Sequence, residues 1–295
     1  MRIALIKPND AYGISLQTQN LADALQHLPD TQVETIPLTV GRQPTAYYIE
    51  LAAKLNAPEV DVIHLSHEYS FYGGVLPKET GFWDLRYLIK KPVVMTAYNL
   101  APMETLFAVA DKSVGKRFTD ALHFRSKATR DAIEIAPFAT TYTIVSTNNE
   151  RKILIERGAK PEYVTVIPDG IPEQSALFSD DCRELTAEFM DAGCFIPPVF
   201  NWKYLAALAY ALAAGYPILV SATPETQEIW SRRECLELYD GNNDAEFERK
   251  YAEIKANTER QIVLAAQTRR YAERYGFSRI AVQTRRAYVA AISVF

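Results

Sequence analysis

Short apolar runs alternate with longer amphipathic stretches almost from one end of the chain to the other. Residues 3–6 read as a buried strand, and 15–28 place Leu16, Leu21, Ala24, Leu25 and Leu28 at helical spacing. Strands follow at 33–36, 60–65, 92–96, 143–146 and 164–167, with helices at 46–55, 116–135 and 150–157 between them. Strands separated by helices of this length specify parallel βαβ units and hence a doubly wound, Rossmann-like sheet. Pro168-Asp169-Gly170-Ile171-Pro172 is a cluster of chain breakers and marks a domain boundary. Beyond it the pattern predicts helices at 184–191 and 204–214, the latter stopped by Gly215. Strands at 194–196, 217–221 and 236–239, a short helix at 225–232, one long charged helix at 244–275 and a final helix at 278–294 complete the chain. The second domain is thus a small α/β unit with few strands.

Composition narrows the class without changing that picture. The 295 residues are 48% hydrophobic and 23% charged, with 32 Lys+Arg against 36 Asp+Glu and a net charge of −4, which is the profile of an ordinary globular protein. Twelve Gly and 16 Pro are too few for a fibrous or low-complexity chain. No apolar run approaches the roughly 18–20 residues of a membrane span. The opening MRIALIKPND has no signal-peptide core and reads as a first strand, so a cytoplasmic location is expected. Cys182, Cys194 and Cys235 are odd in number and lack metal-ligand spacing, which fits reduced thiols and no metal site. The slightly acidic balance disfavours bulk nucleic-acid binding and leaves only local basic patches for a phosphate or a lipid surface.

Four stretches carry a resemblance. They are Asp61 through Ser66-His67-Glu68-Tyr69 with Gly73-Gly74; Ile144-Val145-Ser146 through Gly158 to Val166-Ile167-Pro168-Asp169-Gly170-Ile171; Ala213-Ala214-Gly215-Tyr216-Pro217 through Ser221 to Glu228-Ile229; and Phe277-Ser278. In order and spacing they resemble the retaining, nucleotide-sugar-dependent glycosyltransferases of GT-B fold. The resemblance implies two Rossmann-like domains: an acceptor-side domain at 1–170, a reduced α/β domain at 171–276, and a last helix at 277–295 packing back on the first. It implies a nucleotide sugar as substrate and no separate cofactor.

The departures fall on the donor side. The half-domain that carries the family's phosphate-neutralising Arg and Lys is missing after Ile171. The positions of its paired glutamates fall at Trp202 and Tyr210, and that of a strand-end His falls at Tyr98. Preorganised charge is the main source of catalysis in such sites, and losing one such group commonly costs about 10²–10³ in rate. Two function classes therefore stay open. One is a glycosyltransferase-like enzyme of reduced or lost activity; the other is a catalytically silent GT-B-like binding or scaffold protein acting with a partner enzyme or glycan.

Candidate ligand-binding residues are those expected at strand ends, where open α/β sheets bind ligands. His67 and Glu68 follow one strand, Tyr98 and Asn99 the next, and Ser146 and Asn148 the one after. Each has a plainer reading: His67 and Glu68 as polar residues closing a turn, and Asn148 with Asn149 as helix caps. Gly13 opens the first helix and is either a phosphate-binding turn or a tight βα turn with Ser15 as cap. Thr223 and Glu225 lie where the family's loop meets the donor, or cap a short helix. His64, inside a strand, reads as a hydrogen-bonded core histidine. Lys112, Lys116, Arg117, Arg125, Lys127 and Arg130 form a basic run at 112–130, read either as a peripheral membrane contact or as a solvated helix face. A sheet edge left open by the missing half-domain predicts a homodimer or a protein partner through residues 180–240.

Overall fold

A computed structural model describes residues 1–9, 13–74, 80–98, 141–172, 190–191, 194–195, 202–223, 226–228, 231 and 235–295. In chain order the elements are β1 (Arg2–Pro8), α1 (Gly13–Gln26), β2 (Gln32–Leu38), α2 (Thr45–Leu55), β3 (Val62–His67), a 3-10 turn (Tyr69–Tyr72), α3 (Phe82–Arg86), β4 (Val93–Ala97), β5 (Tyr142–Val145), α4 (Asn148–Glu156), a second 3-10 turn (Pro161–Tyr163) and β6 (Val164–Val166). There follow β7 (Met190–Asp191), β8 (Cys194–Phe195), α5 (Trp202–Ala214), β9 (Leu219–Ser221), β10 (Glu237–Tyr239), α6 (Asp244–Ala256), α7 (Thr258–Tyr275) and α8 (Phe277–Val294).

Two compact units result. The first comprises Met1–Asn9, Gln32–Val166 and Arg286–Phe295. Its described strands form one sheet in the order β2-β1-β3-β4-β5-β6, every pair parallel. β3 and β4 are buried at every position; Val93–Ala97 reads as a nearly continuous apolar run, whereas β3 buries His64, Ser66 and His67 among its apolar residues. β2, at the edge, alternates exposed and buried positions over its last four residues, Thr35 to Leu38, and tolerates Pro37, whose missing N–H costs least there. The chain reverses its direction of winding between β1 and β3. The crevice at such a switch point, outside the carboxyl ends of the strands, is where doubly wound sheets bind ligands.

The second unit comprises Asp10–Thr31 and Ile167–Arg285. Helix α1 packs on α5 here, burying Ile14, Thr18, Leu21, Ala22 and Leu25 at helical spacing, and Asn20 Nδ2 donates to Tyr210 Oη at 3.3 Å. Gly215 ends α5 in the left-handed region (φ 74°). Its N–H reaches the Leu212 carbonyl and the Tyr216 N–H reaches that of Ala211, a double closure that satisfies the helix's last carbonyls. Ile171 of the breaker cluster bridges to the break at Gly276, with its N–H on the Tyr275 carbonyl at 3.0 Å and its carbonyl accepting from Phe277 at 3.2 Å.

Several expected elements differ. The charged stretch 244–275 is two helices, because Asn257 is extended (φ −120°, ψ 93°) and its side chain accepts from the Arg260 N–H to cap α7. Residues 190–191 are a strand rather than the end of a helix, since Met190 and Asp191 pair antiparallel with Phe195 and Cys194. That pairing adds a strand to those expected in this half of the chain. Ser15 lies within α1, which starts at Gly13, so it is not the cap. The expected helix at 116–135 lies outside the described residues, as do Asn99, Glu225 and the basic run at 112–130.

Candidate functional site

The site is built on three neighbouring strand ends of the first unit. His67 is the last residue of β3, and its carbonyl accepts from the Tyr98 N–H at 3.1 Å, joining the β3 and β4 ends. Ser146 follows β5 directly, and β5 pairs with β4. His67, Tyr98 and Ser146 are thus ranged along the carboxyl edge of the sheet.

The chain leaves β3 through a tight, aromatic turn. Glu68 is extended (φ −143°, ψ 141°), and its carboxylate accepts from the Ser70 N–H at 2.8 Å and from Ser70 Oγ, capping the 3-10 turn. Gly73 and Gly74 close it at φ 101° and 152°, with the Gly74 N–H returning to the Tyr69 carbonyl at 3.1 Å. Only glycines enter that region cheaply, which accounts for the pair seen in the sequence. The turn folds Tyr69 and Tyr72 back over His67. Tyr72 is stacked on the imidazole (centroids 5.9 Å apart, planes 28°), and Tyr69 and Phe82 meet it edge-on at 5.1 and 4.9 Å.

His67 is 2% exposed, and burial lowers its pKa from 6.5 to about 4, against a smaller opposing influence from its own backbone. At neutral pH it is an uncharged imidazole, able to accept a hydrogen bond or a proton from a hydroxyl without an opposing charge. Burial also raises the Tyr72 phenol, whose Oη has no hydrogen-bond partner among the described residues. Beside it, Tyr48 is fully buried and its Oη accepts from the Gln43 N–H at 3.1 Å.

At the β5 end the helix cap is Thr147, not Asn148. Thr147 Oγ1 accepts from the Glu150 N–H at 3.1 Å, while Glu150 Oε2 accepts from the Ser146 and Thr147 N–H groups, each at 2.9 Å. Asn148 is the first residue of α4. The spacing Thr147-x-x-Glu150 is a capping box legible in the sequence, and it identifies the cap better than the two asparagines do. His64, three residues earlier in β3 and so on its opposite face, also lies in this unit and is fully enclosed. Its Nδ1 meets Tyr288 Oη at 2.6 Å and its Nε2 meets Thr96 Oγ1 at 2.8 Å.

The other candidates stand in the second unit. Gly13 opens α1 and is buried. Thr223, after β9, exchanges bonds with Thr226: the Thr223 N–H donates to Thr226 Oγ1 at 2.7 Å, and the Thr226 N–H donates to Thr223 Oγ1 at 3.2 Å. This is capping geometry. Among the described residues no three His, Cys, Asp or Glu side chains are grouped to hold a metal ion, and no helix is long and apolar enough to cross a membrane.

No protein-family model matches the sequence, and no curated protein matches it closely enough to count as a relative. Solved structures do match in three dimensions. Sucrose-phosphate synthase from Thermosynechococcus elongatus superposes with a TM-score of 0.65 at 14% identity, covering 100% of both chains. Anabaena HepE in complex with UDP-glucose gives 0.61 at 10% identity, again over 100% of both. A glycosyltransferase from Rickettsia africae gives 0.55 at 9% identity over 99% of this chain and 98% of its own. The chain has the mixed α/β fold of the GT-B glycosyltransferases.

Proposed function

We propose that the chain is a glycosyltransferase-like protein that binds a nucleotide sugar, a uridine diphosphate sugar first, and whose transferase chemistry is weakened or lost. The observation that carries the reading is the likeness of fold over whole chain lengths, among neighbours that include HepE in complex with UDP and with UDP-glucose. Tyr98 and Ser146, at the carboxyl ends of β4 and β5, take the acceptor side, with the enclosed His67 holding the end of β3 to Tyr98 through its carbonyl.

Weakened chemistry is supported by Tyr210. The resemblance puts one of the family's carboxylates at this position, yet the side chain is 2% exposed and its phenol accepts from Asn20. A buried phenol tied to α1 supplies no negative charge to a ligand, and the loss of one such group is worth about 10²–10³ in rate. The same observation favours a second reading, a silent binding protein that works with a partner enzyme or glycan.

A thermal-shift series with UDP-, GDP- and ADP-sugars, followed by donor hydrolysis, tests both. A bound donor at a hundred times its Kd adds about 2.7 kcal/mol to the folded state. The reading expects a saturable shift with UDP-glucose and a turnover at or below about 0.1 s⁻¹, where a median enzyme reaches about 10 s⁻¹. No shift with any of the three donor classes overturns it in favour of the silent protein.

The proposal retains a cytoplasmic protein and self-association through residues 180–240. In support, the described strands there, β7 with β8 and β9 with β10, pair only in twos, so each pair presents edges among the described residues. A dimer is expected in light scattering, and a monodisperse monomer at high concentration removes this part.

A further inference from the structure

Helix α8 carries two patterned faces. Ile280, Ala281, Thr284, Ala287, Tyr288 and Ala291 are buried along one side at helical spacing. On the opposite side Val282, Arg286, Val289 and Ser293 follow one another at i, i+4, i+7 and i+11, all exposed, with Arg279 one turn before them. Ile292 is exposed and Arg285 half-buried along the edge of the same stripe. The outward face of a packed helix is ordinarily polar, yet here three aliphatic side chains stand among arginines. The charge on this helix is also unanswered. Residues 277–295 hold three arginines and no acid, and residues 261–295 hold six arginines against Glu273 alone, in a chain whose net charge is −4. Among the described residues none of the three α8 guanidiniums makes an ion pair or a hydrogen bond, and the Arg285 Nε is enclosed without an acceptor.

We propose that this face of α8 docks on an anionic lipid surface, with Arg279, Arg285 and Arg286 on the lipid phosphates and Val282, Val289 and Ile292 at the boundary of headgroups and acyl chains. Charge complementarity selects the occupant. A second copy of the face would set arginine against arginine. A nucleic acid would answer the guanidiniums but leave three aliphatic side chains against phosphate and water. A lipid surface uses both kinds of residue, because arginines reach the headgroups on long apolar stems while short aliphatic side chains enter the layer beneath. From Arg279 to Ile292 the face runs about 20 Å at 1.5 Å per residue, so the contact lies along the surface and does not penetrate it. Three charges and three aliphatic groups make a reversible, salt-sensitive contact rather than an anchor. The inference does not depend on the glycosyltransferase-like reading, and it concerns a described helix rather than the basic run at 112–130.

The test sediments the full chain with phosphatidylcholine vesicles containing either no phosphatidylglycerol or about 30% of it, at about 0.1 and 0.5 M salt. The wild type is expected to bind the anionic vesicles, to ignore the neutral ones and to be released at the higher salt. An arginine near an anionic surface contributes about a fivefold factor, so Arg279→Gln with Arg286→Gln is expected to weaken binding about 25-fold, and Arg279→Lys with Arg286→Lys to retain it. Val289→Ser with Ile292→Ser is expected to weaken it about tenfold. All four side chains are exposed, so each variant unfolds at the wild-type midpoint. Equal vesicle binding by the wild type and the glutamine pair overturns the proposal, as does a wild type that binds neither vesicle or binds both alike. Loss of affinity for a short DNA duplex in the glutamine pair, with no vesicle bound by the wild type, overturns it in favour of a nucleic-acid contact. A wild-type dimer that the serine pair converts to a monomer in light scattering overturns it in favour of a second copy.

Discussion

Lowering the pH from 7 to 5 is expected to cost the folded chain about 4 kcal/mol through two histidines alone. His64 and His67 are both fully enclosed, and burial depresses each from 6.5 to about 4. In the unfolded chain each imidazole takes up a proton near pH 6.5, while in the folded chain it stays neutral until about pH 4. The favourable contribution is therefore complete above about 6.5 and is lost progressively as the pH falls towards 4. Each group contributes about 1.4 kcal/mol per pH unit within that window. The sum is large against a total stability of about 5–15 kcal/mol for a typical domain. Urea unfolding at pH 7, 6 and 5 measures it. His67→Phe is expected to remove about half of the slope between pH 6.5 and 5, whatever it does to stability at pH 7. A wild-type midpoint that stays flat down to pH 5 would show that these imidazoles are protonated in the folded state.

The position of His67 was legible in the sequence, but its enclosure was not. A polar residue at the end of an apolar run in a βαβ pattern has to lie at the carboxyl edge of the sheet. What covers it depends on Phe82, which the periodicity does not relate to β3, and on a turn whose shape comes from Glu68 capping Ser70 and from the paired glycines. Glu68 shows how both readings of a residue can rest on the same atoms: it stands at the site, and its carboxylate caps the turn. The parallel sheet followed from the alternation of short runs with helices; β4 reads as an almost unbroken apolar run, and the polar residues of β3, His64, Ser66 and His67, are buried rather than turned to solvent. The break at Asn257 was hidden because charged residues continue through it without any Gly or Pro, and only the Asn side chain, capping Arg260, ends one helix and begins the next. The strand at Met190–Asp191 was hidden for another reason: it is two residues long and is recognised only by its antiparallel pairing with Cys194–Phe195.

Tyr288→Ala is expected to cost about 5 kcal/mol, measured as lost hydrogen-exchange protection of β3 and β4 amides. Tyr288 is fully buried, and its ring meets His64 edge-on at 5.6 Å with the planes 75° apart. Its hydroxyl lies 2.6 Å from His64 Nδ1, and His64 Nε2 lies 2.8 Å from Thr96 Oγ1. A neutral imidazole donates from one nitrogen and accepts at the other, so this short chain satisfies both at once and ties the Arg286–Phe295 segment to the two central strands of the first unit. Removing the ring opens a cavity worth about 3–5 kcal/mol by itself, and it leaves an imidazole nitrogen buried without its partner, at about 1–3 kcal/mol more. Tyr288→Phe keeps the ring and isolates the second contribution, so about 1–3 kcal/mol is expected. His64→Phe removes the other end of the same bond. If the bond is the cause, Tyr288→Phe on a His64→Phe background costs measurably less than it does alone, because no imidazole is left unsatisfied. Strict additivity of the two would show that Tyr288 stabilises β3 and β4 by packing alone.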